Sequence, residues 1–94
     1  MKKSIVEHNP ADCCFLCGSG GYLERHHIFG GPNRKLSEKY GLTVHLCYMH
    51  HRDANEGVHS CKQKREILHR IGQEAFEREY PEKDFRKIFG INYL

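Results

Sequence analysis

Cys14-Phe15-Leu16-Cys17 and, some thirty residues later, Leu46-Cys47-Tyr48-Met49-His50-His51 decide how this chain is built. Each stretch holds two soft or borderline ligands separated by two residues, the spacing at which one turn presents both to a tetrahedral zinc ion. Cys14, Cys17, Cys47 and His50 are therefore the candidate ligands of a structural Zn2+. Gly18, directly after the first pair, permits the tight turn that aims backbone amides at the thiolates. His26, His27, His51 and His59 are left over once zinc has its four ligands. Imidazoles gathered beside a rigid metal knot suggest a second metal with open coordination, because at neutral pH an imidazole either binds a divalent ion or accepts a proton.

A chain of 94 residues makes one domain. At this size folding buries only ~60 to 65% of the surface the unfolded chain exposes, so the apolar core is marginal and a staple is needed. Met1-Lys2-Lys3 is followed by no apolar run, and no stretch approaches a membrane span. We therefore expect a cytoplasmic protein with no membrane partner. In a reducing compartment paired cysteines favour zinc thiolates over disulfides, and an odd count of five does not suit a disulfide framework. Cys13 and Cys61 are then spare thiols. A net charge of +3 and a pI near 8.6 lean toward a nucleic-acid partner, a bias that many ordinary enzymes share.

Outward from the ligand pairs, residues 1–12 read as a polar lead-in broken by Pro10, with Ile5 and Val6 packing locally and His8 solvated. Residues 13–61 form the metal-bearing core and residues 62–94 a helical cap. Tyr22 to Phe29 has the spacing of a first strand, and Gly30-Gly31-Pro32 forces a turn. Adjacent strand residues point to opposite faces, so His26 and His27 share a site only if the strand ends there. Asn33 as N-cap and Gly41 as stop predict a helix over Arg34 to Tyr40. Leu42 to Cys47 alternates as a second, antiparallel strand. Tyr48 to Ala54 predicts a short helix that carries His50 and His51.

From Lys62 the apolar positions Ile67, Leu68, Ile71, Ala75 and Phe76 fall on one face, predicting an amphipathic helix from Cys61 to about Tyr80. Ser60 and Gln63 would form its capping box, and Pro81 ends it. Phe85, Ile88 and Phe89 repeat the spacing in a second short helix before Gly90. This third of the chain reads as a scaffold over the core. The other reading uses Lys62, Lys64, Arg65 and Arg70 as a face for a protein partner or the DNA backbone.

Cys14-x-x-Cys17, Glu24-Arg25-His26-His27-Ile28-Phe29, Leu46-Cys47-x-x-His50-His51 and the trailing His59 resemble the HNH endonuclease family, in its small zinc-ribbon form from bacteriophage and bacteria. The resemblance covers about Cys13 to His59. It implies an α+β fold: a zinc-stabilised ββα-metal (His-Me finger) core with C-terminal helices. It also implies metal-dependent hydrolysis of phosphodiester bonds in DNA, by nicking or double-strand cleavage, leaving 5′-phosphate and 3′-hydroxyl ends. On this resemblance His26, His51 and His59 correspond to ligands of a catalytic divalent metal (Mg2+, Mn2+, Ni2+ or Zn2+), and His27 to the general base.

Asn55, four residues after His51, competes for the last ligand position. His59 is favoured, because imidazole is the better ligand for a borderline ion. His50 stands where the family usually has cysteine, and the family's middle asparagine has only Asn33 or Thr43 as candidates. The rival class is a non-catalytic zinc module that binds nucleic acid or a protein partner. That reading leaves the four remaining histidines without a joint reason, and it predicts one metal per chain instead of two.

Overall fold

Apolar and β-branched residues alternate along Thr43-Val44-His45-Leu46-Cys47, the pattern of a half-buried strand. In the computed structural model, which describes residues 3–7 and 13–94, they form strand β2 (Thr43–Cys47). It pairs antiparallel with β1 (Leu23–His27), in a register that sets Leu23 opposite Cys47 and His27 opposite Thr43. A 3-10 turn at Gly31–Asn33 leads into α1 (Arg34–Tyr40) between the strands. α2 (Tyr48–Arg52), α3 (Lys62–Glu79) and α4 (Phe85–Phe89) follow β2. The class is α+β, a two-stranded sheet with helices, as expected. The expectations for His8 and Pro10 lie outside the described residues.

Residues two apart on a strand share a face. Glu24 and His26 therefore stand beside their cross-strand partners Leu46 and Val44, both completely buried. β1 runs on into Ile28 and Phe29, which enter the core. The Ile28 amide donates to the Leu42 carbonyl, and the Ser37 hydroxyl on α1 both accepts from the Phe29 amide and donates to its carbonyl. Against this end of β1 lies α3, at the one point where its surface is smooth: a Cβ on Gly72 would come within 2.9 Å of Ile28 and 3.0 Å of Phe29. Phe29 in turn packs edge or face against Phe85, Phe89, His69 and Tyr93. Buried Gln73 holds the tail in place, accepting from the Tyr93 amide and donating to the Asn92 side chain.

Several local expectations are corrected. The lead-in is docked along its described part: the Ile5 amide donates to the Gly41 carbonyl, Ser4 Oγ to the Thr43 carbonyl, and Val6 is buried. Glu7 accepts from the amide and ring of His45. The strap runs so close to α1's left-handed terminal Gly41 that a Cβ there would stand 2.5 Å from the Lys3 carbonyl. Asn33 stands at the N-cap of α1 as expected but makes no capping bond there; its side-chain amide donates to the Phe89 carbonyl instead and ties the loop after β1 to α4. Ser60 does not start α3, whose N-cap is Cys61 without a side-chain bond. α2 stops at Arg52, because the Asp53 carboxylate accepts from the amides of Asn55 and Glu56 and turns the chain. Ile67 is 47% exposed, so the apolar stripe of α3 is narrower than its spacing suggests. No helix among the described residues is long and apolar enough to cross a membrane.

Candidate metal centres

The first knuckle is a closed turn, with the Gly18 amide donating to the Cys14 carbonyl. It is pinned to the sheet by the Phe15 amide, which donates to the His45 carbonyl of β2. β2 ends at Cys47 and α2 begins at the next residue, so His50 returns to the same side one turn later. The ligand atoms of Cys14, Cys17, Cys47 and His50 consequently lie within 4.8 Å of one another. Cys17 Sγ and Cys47 Sγ are 3.8 Å apart, and His50 Nδ1 is 3.3 Å from Cys47 Sγ and 4.0 Å from Cys14 Sγ. A tetrahedron with metal–sulfur bonds of ~2.3 Å has sulfur–sulfur edges of ~3.8 Å and sulfur–nitrogen edges of ~3.5 Å. The cluster can therefore hold a metal ion. The His50 amide, pointing at Cys47, holds that thiol down at about 6, and the Ser19 hydroxyl 3.1 Å away lowers Cys17. Burial pushes Cys14 the other way.

The second cluster draws on three elements: His26 from β1, His51 from α2 and His59 from the loop before α3. Their ligand nitrogens also lie within 4.8 Å of one another. Ring centroids are 5.3 Å apart for His26 and His51, 5.2 Å for His26 and His59, and 4.8 Å for His51 and His59. The loop reaches back because the Val58 amide donates to the His50 carbonyl and Arg65 of α3 donates to the carbonyls of Val58 and His59. Burial, and then the neighbouring His51 and His59, push His26 down to about 3. Burial lowers His59 as well. For His26 and His59 both shifts favour the neutral imidazole, the state in which histidine takes a divalent metal. Asn55 is not among them: α2 has ended before it, and it stands exposed in the Asp53 turn.

His27 points to the opposite face of β1 from His26, but it is the strand's last residue. It lines the same cleft of about 330 Å³, beside Arg25, Arg34 and the three clustered histidines. Its Nε2 donates to Glu38 Oε1 of α1 at 2.9 Å, which fixes the ring and leaves the lone pair on Nδ1. Glu24 does the corresponding work for His51, accepting from its Nδ1 at 2.7 Å. Arg52 Nε donates to the same Glu24 oxygen at 2.7 Å and the Tyr22 hydroxyl to the other at 3.1 Å. Together these bonds, His51 first and Arg52 second, hold the Glu24 carboxyl at about 2.

Neither carboxylate was singled out in the sequence. Glu24 carried a usable signal, since it lies two residues before His26 and so on the same strand face. Glu38 carried none, because only tertiary packing brings it to His27. Of the other histidines, His45 is clamped by Glu7 and His69 lies between Phe29 and Tyr93, and neither belongs to a ligand set. A scan against protein-family models, a search of the curated proteins and a search of the solved structures each find no match, so the resemblance to HNH endonucleases stands on its residues alone.

Proposed function

We propose that this protein is a metal-dependent HNH-type endonuclease that hydrolyses phosphodiester bonds in DNA, built on a ββα-metal core of β1, β2 and α2. The observation that carries the reading is the convergence of His26, His51 and His59 in one cleft, with a fourth histidine, His27, on its wall and outside the cluster. Cys14, Cys17, Cys47 and His50 would hold a structural zinc, which a thiolate and imidazole set of this size suits. His26, His51 and His59 would hold the catalytic divalent ion. When bound, that ion stabilises negative charge on the phosphate and on the leaving oxygen.

The remaining work falls to the chain. His27 accepts a proton from the attacking water, and Glu38, by engaging the Nε2 proton, keeps the Nδ1 lone pair available for it. Glu24 holds His51 in the tautomer whose Nε2 is free for a metal. The cationic side chains of Arg25 and Arg34 in the cleft favour an anionic substrate. The products expected are a 5′-phosphate and a 3′-hydroxyl.

The test is cleavage of supercoiled plasmid by the purified protein with Mg2+, Mn2+, Ni2+ or Zn2+, alongside metal analysis and end-labelling of the products. Cleavage should depend on added metal and on His27. A protein that binds one metal per chain and cuts no DNA with any of these ions would be the non-catalytic zinc module instead.

A further inference from the structure

Charge is divided along α3. Two basic cavities lie toward its N-terminal end. The first is the histidine cleft, whose lining contains Arg25, Arg34 and Arg52 and no carboxylate. The second, about 310 Å³, lies between the first turns of α3 and the C-terminal tail, where Lys62, Arg65 and Arg70 face the single carboxylate of Glu66. At the opposite end of the helix a third cavity sets Glu77, Glu82 and Asp84 against Lys83 and Arg86. From Lys62 to Glu77 the helix axis advances roughly 22 Å, so the basic and acidic ends are well separated.

Arg65 joins the two basic cavities. Its guanidinium lines the second while donating to the carbonyl of His59, whose ring stands in the first. Arg52 is already committed to Glu24. The Arg34 side chain, by contrast, makes no hydrogen bond or ion pair among the described residues. Beside it the cleft wall is Gly30 and Gly31, where even an added Cβ would meet nothing within 4 Å. An uncommitted guanidinium next to bare backbone suits a phosphate, which the planar fork can grip through two parallel N–H bonds.

We infer that the two basic cavities form one track for the sugar–phosphate backbone of duplex DNA, with Arg34 gripping a phosphate on one side of the histidine cluster and Lys62 and Arg70 on the other. The track rests on the nuclease reading for the identity of the polyanion. Contacts of this kind position a duplex without reading its sequence, and each releases condensed counterions, so the salt dependence of binding counts them.

The experiment measures binding of a labelled duplex of about 20 base pairs by fluorescence anisotropy over a series of salt concentrations, using the His27→Ala protein so that cleavage does not consume the complex. Adding Arg34→Ala should weaken binding and flatten the log–log salt slope by about 0.9, and Lys62→Ala with Arg70→Ala by about 1.8. Lys83→Ala with Arg86→Ala, at the acidic end, should leave the slope unchanged. The track is overturned if the Arg34 and Lys62/Arg70 variants keep the parent slope and Kd. It is equally overturned if the Lys83/Arg86 variant flattens the slope as much as they do, because net charge alone would then account for binding. Wild-type protein that binds duplex with these slopes yet cuts it with no metal would keep the track and remove the enzyme.

Discussion

Removing the charge from Glu24 should weaken the histidine centre without touching the cysteine centre. In Glu24→Gln the side chain still offers an acceptor to His51 Nδ1, now 2.7 Å from Glu24 Oε1, so the ring keeps its orientation and only the carboxylate charge is lost. Partners of this kind contribute ~10- to 100-fold in metal affinity, or ~1.4 to 2.7 kcal/mol. Arg52 shares the same oxygen and already offsets part of the negative charge. The lower end of the range, ~10-fold, is therefore expected for glutamine, and the upper end for Glu24→Ala, which also frees the ring. The assay is titration of protein carrying one zinc per chain with Co2+, followed by its visible absorption, with melting temperature and zinc content as controls. Glu24→Gln and Glu24→Ala proteins that bind Co2+ within twofold of wild type would refute the reasoning. So would a loss of zinc that precedes any change in Co2+ affinity.

Three further outcomes follow from the same geometry. Cys17→Ser should lose one zinc equivalent and unfold or melt far lower, because structural zinc contributes ~10 kcal/mol or more, as much as a small domain's whole stability; calorimetry with metal analysis decides this, and an unchanged melt and zinc content would contradict it. His27→Ala should keep fold and both metals while plasmid cleavage falls ~10²-fold or more, whereas His26→Ala should lose the second metal; the reverse pattern would exchange their roles. His59→Ala should lose the second metal and the activity, and Asn55→Ala should keep most of both; equal losses would mean that Asn55 moves in from its exposed turn to share the site.

What could be read from the sequence was whatever chain-local geometry enforces. Cys14 with Cys17, and Cys47 with His50, are brought together by single turns, so their spacing announces them. The strand pair and α1 were legible for the same reason: alternation along Thr43 to Cys47 and a stop at Gly41 are short-range signals. Residues whose role depends on distant packing were not legible. Glu38 meets His27 only because α1 folds back over β1, and Glu7 meets His45 across 38 residues. Asn33 stands at the N-cap of α1 as expected, but its capping bond, like the start of α3 at Ser60, gave way to tertiary demands. Asn33 is held by a carbonyl of α4 56 residues away, and the chain before α3 follows the turn set by Asp53, with the Cys61 amide bonded to the Gly57 carbonyl.

His50 and His51 explain why the two clusters are one construction. Successive residues on a helix point about 100° apart, so a single turn of α2 can send one imidazole to the cysteines and the next to His26 and His59. α2 is only five residues long, too short to be stable alone. It is held at its start by Cys47 in the thiolate cluster and on its other side by the Glu24 bridge to His51 and Arg52. A metal held by the first cluster would therefore do more than stabilise the knuckle: it would fix the helix that presents His51. The dependence runs one way. Loss of the second metal would leave β1, β2 and the cysteine knuckle bonded as before. Loss of the first would release the start of α2, and with it the alignment of the three histidines.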